Sequence, residues 1–251
     1  MVIRPEQMKA FQAVAQVSFE AQALEHIRQA YPAAIKGVEE ARLKQLISKG
    51  AERAGKHGFK ARGPVRMFLD FLVILGHEFD QDPLFFWVSD ILKDREGLDE
   101  MTQAARLRLH VATYRELVYG SKGEHVAKGL DHMAKAPVQE LTAVGRSFES
   151  SAIPWLQNLH PRKCAWAGTA ALTNLVQMAQ QASAQCGLPA PEGPPLLLGL
   201  MFAFGAGVLT DPLFPWVAAS LEGGEPKARL ERLTARAQTY LRQALENRSK
   251  G

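Results

Sequence analysis

The chain has 251 residues, of which 47% are hydrophobic and 22% charged, a composition typical of a soluble globular protein. Its net charge of +4 is a mild basic excess, which does not indicate a dedicated nucleic-acid-binding protein. The two cysteines, Cys164 and Cys186, fit neither a disulfide framework nor a metal-ligand spacing, so the sequence predicts a reducing, cytoplasmic environment.

Five helices are predicted in the first half of the chain, because apolar residues recur there at helical spacing. Proline opens and glycine closes several of them, as these residues commonly do. The predicted helices run from Pro5 to Tyr31, from about Gly37 to His57, from Pro64 to Gly76, from Asp82-Pro83 to about Lys93, and through Leu107 to Leu117.

The second half follows the same plan after a hinge predicted at Gly120-Ser121-Lys122-Gly123. Its helices are predicted up to Leu159, up to Cys186, from Pro195, from Asp211-Pro212, and from about Pro226. No stretch shows sustained alternation of apolar and polar residues between turn signals, so no β-sheet is expected. The sequence therefore predicts an all-α protein.

A seven-residue segment that occurs twice indicates an internal duplication. Residues 82–88 and 211–217 are identical at six of seven positions, and the offset is 211 − 82 = 129. The same offset aligns Leu43 with Leu172 and Gly76 with Gly205. This predicts a tandem repeat of a roughly five-helix unit packed as a helical bundle, with repeats at 1–120 and 124–251 and the second copy diverged.

Each copy of this segment has the chemistry of a helix start. Aspartate is a strong N-cap, and proline is favoured at the first helical position. The sequence therefore predicts that each Asp-Pro pair begins a helix whose tryptophan faces the core. The residues predicted to have this structural role are Asp82, Pro83, Trp87, Asp211, Pro212 and Trp216.

The run from Pro194 to Leu209 is almost wholly apolar, but it is predicted to be a core helix. It falls short of the roughly 20 residues that a bilayer-spanning helix needs. Its repeat partner contains Arg66 and Asp70, which suit a protein core better than a membrane. No membrane span is therefore expected.

The most chemical-looking cluster is residues 77–82, which bring a histidine and three acidic side chains close together. Such groups could bind a metal or share a proton. Only Asp82 is retained in the second copy, so the repeated fold does not require the others. Because the pattern matches no metal-binding signature, a solvated loop is the expected arrangement, with no metal or cofactor.

A basic stripe is predicted on the second helix. Lys49, Arg53, Lys56 and Lys60 follow one another at intervals of four, three and four residues, which places these cations on one helix face. The corresponding segment of the second half, Asn174 to Cys186, carries no charge. The stripe is a candidate docking surface for an acidic partner, and a solvated helix face is the alternative. Phe59 alone lies near it, so nucleic acid is not expected. The candidate partner-binding residues are Arg42, Lys49, Arg53, Lys56 and Lys60.

Two motifs resemble those of a bacterial protein family. The chain opens with Ile3-Arg4-Pro5-Glu6-Gln7-Met8 and later has Leu75-Gly76-His77-Glu78-Phe79-Asp80-Gln81-Asp82-Pro83 before Phe86-Trp87. This resembles small all-helical proteins encoded near type VI secretion effectors in Gram-negative bacteria. The resemblance covers most of residues 1–119, and it implies a role beside such an effector without implying a catalytic activity.

Three functions stay open at this point. The first is a non-enzymatic protein-binding module, an adaptor or chaperone for a type VI secretion effector, in which two linked units raise the effective concentration of the binding surface. The second is an immunity protein that neutralises a cognate toxin. The third is an enzyme or metal-binding protein that uses the cluster at residues 77–82. The expected partner is a secreted effector or toxin, and the oligomeric state is left open.

Overall fold

The computed structural model describes residues 4–135 and 148–249, and it confirms the all-α fold. Within these ranges no residue belongs to a β-strand. The described helices, in chain order, are α1 (Pro5–Ala30), α2 (Glu40–Lys56), α3 (Arg62–Leu75), α4 (Phe86–Lys93), α5 (Glu100–Tyr114), α6 (Glu124–Lys135), α7 (Phe148–Leu159), α8 (Pro161–Gln185), α9 (Gly193–Phe204), α10 (Pro215–Leu221) and α11 (Pro226–Ser249). A 3-10 turn at Pro83–Phe85 precedes α4, and a π-helical segment at Arg115–Tyr119 extends α5.

The second half departs from the predicted plan in two places. The single helix expected up to Leu159 is observed as α6 and α7, and residues 136–147 between them lie outside the described ranges. Gly168 interrupts α8 with a φ of 77° and a ψ of 165°, so α8 consists of two helical pieces. Glycine permits this change of direction because it lacks a Cβ atom.

Two hydrophobic clusters form the core, one built mainly by α1 to α5 and the other mainly by α7 to α11. Each cluster also contains a leucine from the opposite half. Leu213 belongs to the first cluster, and Leu84 belongs to the second. The two halves therefore exchange core residues, and burial of these leucines stabilises the contact between them.

Asp82 ties this exchange to the backbone of both halves. Its Oδ1 accepts a hydrogen bond from the Leu84 amide at 2.8 Å, which fixes the local turn. Its Oδ2 accepts one from the Ala206 amide at 2.7 Å, across the contact between the halves. The residue is only 3% exposed, so both amides would be buried without a partner if the carboxylate were removed.

Asp211 makes the corresponding pair of bonds from the other side. Its Oδ1 accepts from the Leu213 amide at 2.8 Å, and its Oδ2 accepts from the His77 amide at 3.2 Å. It is also 3% exposed, and burial raises its pKa to about 6. We call these two aspartates and their four backbone bonds the interlock.

The interlock corrects the prediction that each Asp-Pro pair begins an α-helix. Asp82 caps a 3-10 turn, and α4 starts at Phe86. Asp211 caps a turn, and α10 starts only at Pro215. The reason is that the leucine after each proline enters the opposite core, so the chain completes a turn before the helix begins. Trp87 is buried as expected, whereas Trp216 is half-buried.

The observed helix ends follow the 129-residue offset. Helix α3 ends at Leu75 and α9 at Phe204, and 204 − 75 = 129. Helix α2 ends at Lys56 and α8 at Gln185, and 185 − 56 = 129. These bounds agree with the alignment of the two halves, while the duplication event itself stays a prediction.

Gly76 and Gly205 allow the two halves to approach closely at the interlock. Both have positive φ, 106° at Gly76 and 102° at Gly205. A Cβ atom added to Gly76 would lie 2.8 Å from the carbonyl oxygen of Phe204, and one added to Gly205 would lie 3.2 Å from that of Leu75. Two backbones in contact leave no flexible side chain that could move aside.

Substitution of Gly76 by alanine should therefore destabilise the protein strongly. We expect Gly76→Ala to lower the free energy of unfolding by about 3 kcal/mol, through backbone strain plus the contact with Phe204. Gly37→Ala is the matched control, because Gly37 also has positive φ (79°) but has open space around its added Cβ. It should cost about 1 kcal/mol. Urea denaturation measures both, and equal losses would contradict a close contact at Gly76.

The apolar run near Leu200 forms α9, whose residues from 195 to 202 are all buried. The sequence prediction of a core helix is confirmed up to Phe204, but the helix does not continue to Leu209, because Gly205 adopts a positive φ of 102° and ends it. Helix α9 packs against α8 and α7 and contributes leucines and a phenylalanine to the second cluster. Among the described helices, none has both the length and the apolar content needed to cross a membrane.

Candidate functional site

The five residues of the predicted basic stripe do not share one environment in the structure. Arg42, Lys49 and Lys56 lie exposed on α2, and Lys56 forms an ion pair with Glu52 at 2.8 Å. Lys60 is exposed but lies beyond α2, which ends at Lys56, so its assignment to this helix is wrong. Docking at these four residues stays a prediction.

Arg53, the fifth member of the stripe, has a structural partner. Its guanidinium donates to a carboxylate oxygen of Asp80 and to the backbone carbonyl of His77. The other Asp80 oxygen is hydrogen-bonded to His57 Nε2 at 2.7 Å. Asp80 is 6% exposed, so this pairing compensates a buried charge. Arg53 therefore anchors the loop after α3 to α2.

Two carboxylates of the acidic cluster at residues 77–82 are likewise held in contacts within the protein. Asp80 is bonded to Arg53 and His57, and Asp82 belongs to the interlock. The expectation of a solvated loop is wrong for these two carboxylates, because both are buried. In the part of the chain that the structure describes, no group of three or more His, Cys, Asp or Glu side chains could hold a metal ion.

A cleft of about 680 Å³ lies between α1, α3 and α5. Its volume lies in the range of about 300–1,000 Å³ that is typical of binding sites. Its apolar surface includes Phe71 and Ile74 of α3 and Ala104 and Val111 of α5. The cleft therefore offers an apolar floor enclosed by three helices.

One end of the cleft is closed by a polar group of three side chains. His26 Nε2 of α1 is hydrogen-bonded to Asp70 Oδ1 of α3 at 2.7 Å. Burial raises the pKa of Tyr31 to about 12, and the charge and hydrogen bond of Asp70 add to the shift. The Asp70 carboxylate is therefore engaged by its neighbours and holds α1 against α3.

Three arginines line the cleft: Arg66 of α3, Arg108 of α5 and Arg115 of the π-helical segment. All three are exposed. No ion pair within 4.0 Å joins any of them to a carboxylate within residues 4–135 and 148–249. Guanidinium groups suit carboxylates because their planar donors match two oxygens at once. The arrangement favours an acidic ligand.

The sequence alone indicates only a small part of this cleft. Arg66 and Asp70 are four residues apart on α3, a spacing that places them on one helix face. Their partners His26, Arg108 and Arg115 come from segments about 40 residues before or after them, and no local pattern connects such segments. The clustering of arginines appears only when α5 is packed against α3.

No protein-family model, curated protein or solved structure matches the chain. No relative therefore supplies an activity for this fold. The resemblance to proteins encoded near type VI secretion effectors stays a prediction from the two quoted motifs. A function has to follow from the side chains that the fold brings together.

Proposed function

We propose that the chain is a non-enzymatic protein-binding module, an adaptor or chaperone for a type VI secretion effector. The cleft between α1, α3 and α5 holds an acidic segment of that effector. The observation that carries this proposal is the set of three exposed arginines around an apolar floor, Arg66, Arg108 and Arg115. The link to secretion rests on the motif resemblance alone.

The chemistry of the cleft specifies what its partner presents. Apolar side chains of the partner would contact the floor near Phe71 and Val111, while acidic side chains would pair with the arginines at the rim. Charge at a rim steers encounter and selects partners, and the apolar floor supplies affinity. An amphipathic acidic segment satisfies both requirements.

A protein partner fits this cleft better than a nucleic acid. Binding of single-stranded nucleic acid uses exposed aromatic faces on which bases stack. The two aromatic side chains that line the cleft are Tyr31, which is half-buried against His26, and Phe71, which is 5% exposed. Neither ring is fully exposed as a platform on which a base could stack.

Charge reversal at the cleft tests this proposal against the stripe on α2. We expect Arg66→Glu/Arg108→Glu/Arg115→Glu to lower partner affinity by about 10- to 100-fold, because three attractive rim charges become repulsive. Arg42→Glu/Lys49→Glu/Lys56→Glu is the matched control, since it reverses the same number of exposed charges on another face. Arg53 is left unchanged because it stabilises Asp80.

The assay begins with capture of the partner from the native bacterium by the tagged wild-type protein. Affinities are then measured with the purified partner, using chains whose circular dichroism shows an intact helical fold. Loss of affinity in the cleft variant alone supports the proposal. Loss in the control variant alone would assign docking to α2, and equal binding by all three chains would contradict a charged docking site.

The same three arginines also favour an immunity protein as a second candidate, because a basic surface can cover an acidic active site. Expression of the partner in a sensitive host separates the two functions. An immunity protein should restore growth at stoichiometric levels, and the cleft variant should fail to do so. A chaperone should instead raise the soluble yield of the effector without restoring growth.

A further inference from the structure

A second cavity, of about 190 Å³, lies between α6, the start of α8 and the end of α9. Helix α6 supplies one wall with Val126, Gly129, Leu130 and Met133, whose spacing places them on one helix face. An engineered cavity of about 150 Å³ accommodates benzene, so this space is large enough for a small organic molecule.

Lys163 contributes a buried positive charge to this cavity. The residue lies in the first turn of α8 and is 7% exposed. Its ammonium donates to the backbone carbonyl of Phe202 and lies 4.8 Å from the centroid of the Phe202 ring. No carboxylate lies within 4.0 Å of it in the described residues, and a buried charge without an ionic partner is costly.

His160 supplies a second donor next to this lysine. It is the N-cap of α8, and its Nδ1 accepts a hydrogen bond from the Lys163 amide at 3.2 Å. Because Nδ1 is the acceptor, the ring proton of the neutral imidazole is on Nε2. The residue is 7% exposed, and Nε2 has no hydrogen-bond partner among the described residues.

Burial keeps His160 in this neutral form. Burial, and then the charge of Lys163, lowers the pKa of His160 to about 4. At neutral pH the imidazole is therefore an uncharged N–H donor, and Lys163 is the cation. Buried donors are normally satisfied, and His160, which carries this unpartnered N–H, is one of the residues that line the cavity, so a hydrogen-bond acceptor is missing beside it.

We propose that this cavity binds a small monocarboxylic acid. The carboxylate accepts hydrogen bonds from Lys163 Nζ and His160 Nε2, and the hydrocarbon part contacts Leu130, Met133 and Phe202. Ile74 of α3 lines both cavities, but Lys163 and His160 lie at the start of α8, away from the three arginines, so the proposal does not rest on the proposed docking function.

The charge balance selects a monoanion. One ammonium and one neutral imidazole match a single negative charge, whereas a phosphate dianion would leave one charge buried and uncompensated. Asp82 is a carboxylate whose charge acts on Lys163, but its two oxygens already accept from backbone amides in the interlock. A carboxylate from outside the chain therefore complements the site better than Asp82 does.

Calorimetric titration with straight-chain acids from butanoate to decanoate tests the site. We expect hexanoate to bind the wild-type chain with a Kd between about 10 µM and 1 mM. Hexanamide has the same shape without the charge, and it should bind about tenfold more weakly or not at all. Lys163→Met should lower the affinity for hexanoate by about tenfold or more.

Two further variants separate the site from a general effect on the fold. Ala203→Leu adds volume to the cavity wall and should abolish hexanoate binding, while Lys128→Met removes an exposed lysine of α6 and should leave the Kd unchanged. Any of three results would overturn the proposal: no acid binds the wild-type chain, hexanamide binds as well as hexanoate, or Lys163→Met binds as well as wild type.

Discussion

Lys163→Met should make the protein more stable at pH 7, although it removes a buried hydrogen bond. Burial lowers the pKa of Lys163 from 10.5 to about 8, a shift that corresponds to about 3 kcal/mol of unfavourable charging. Loss of the bond to the Phe202 carbonyl offsets about 1 kcal/mol of this. The net gain of about 2 kcal/mol should raise Tm by about 4–8 °C.

The stability difference between Lys163→Met and the wild-type chain should depend on pH. Below pH 8 the lysine is charged in both the folded and the unfolded chain, so its full cost is present. Between pH 8 and 10.5 the unfolded chain binds more protons, and the contribution of Lys163 to stability rises with pH. The advantage of Lys163→Met is therefore greatest below pH 8 and shrinks above it.

Thermal and urea unfolding of both chains between pH 6 and pH 9 measure this difference directly. Lys128→Met is the control, because Lys128 is exposed and its removal should change stability by less than about 0.5 kcal/mol. A less stable Lys163→Met chain would show that the Phe202 bond and the ring contact outweigh the cost of burial. A more stable Lys163→Met chain would show that Lys163 does not stabilise the fold, as expected for a residue whose role is to bind a ligand.

The sequence predicts the fold well wherever the signal is local. The helix end at Gly76 and the start of α11 at Pro226 follow from residues whose backbone preferences act within one turn. The apolar residues of α3 and the almost wholly apolar run that forms α9 likewise predict the burial of both helices. Neither inference needs knowledge of tertiary contacts.

The sites depend on contacts that no local pattern specifies. The spacing of Arg53 predicts a place in an exposed stripe, but the residue pairs with Asp80, 27 residues away. Lys163 lies four residues before the buried Ala167, a spacing that places it on the apolar face of α8, yet its partner carbonyl belongs to α9. Helical spacing indicates which face a side chain occupies, and it does not indicate what that face meets.

Removal of the interlock carboxylates should cause a large loss of stability. The cap prediction alone gives about 1 kcal/mol for Asp82→Ala. The structure raises this to about 3 kcal/mol, because two buried amides, those of Leu84 and Ala206, lose their acceptor. Asp211→Ala should cost slightly less, since its bond to the His77 amide is longer, at 3.2 Å.

Asp99→Ala is the matched control for a cap without an interlock. Asp99 is exposed and caps α5 through the Thr102 amide at 2.7 Å, so its removal should cost about 1 kcal/mol. Asp82→Asn should fall between these values, because the amide oxygen replaces one acceptor and the NH₂ group cannot replace the other. Urea unfolding measures all four variants.

The ranking of these variants tests how the halves are held together. If Asp82→Ala and Asp99→Ala lose the same free energy, the bond to Ala206 contributes nothing and Asp82 is an ordinary cap. If Asp82→Ala instead produces two unfolding transitions, the halves are separate cooperative units joined mainly by the interlock. A single transition with the larger loss is expected, because Leu84 and Leu213 each belong to the core of the opposite half.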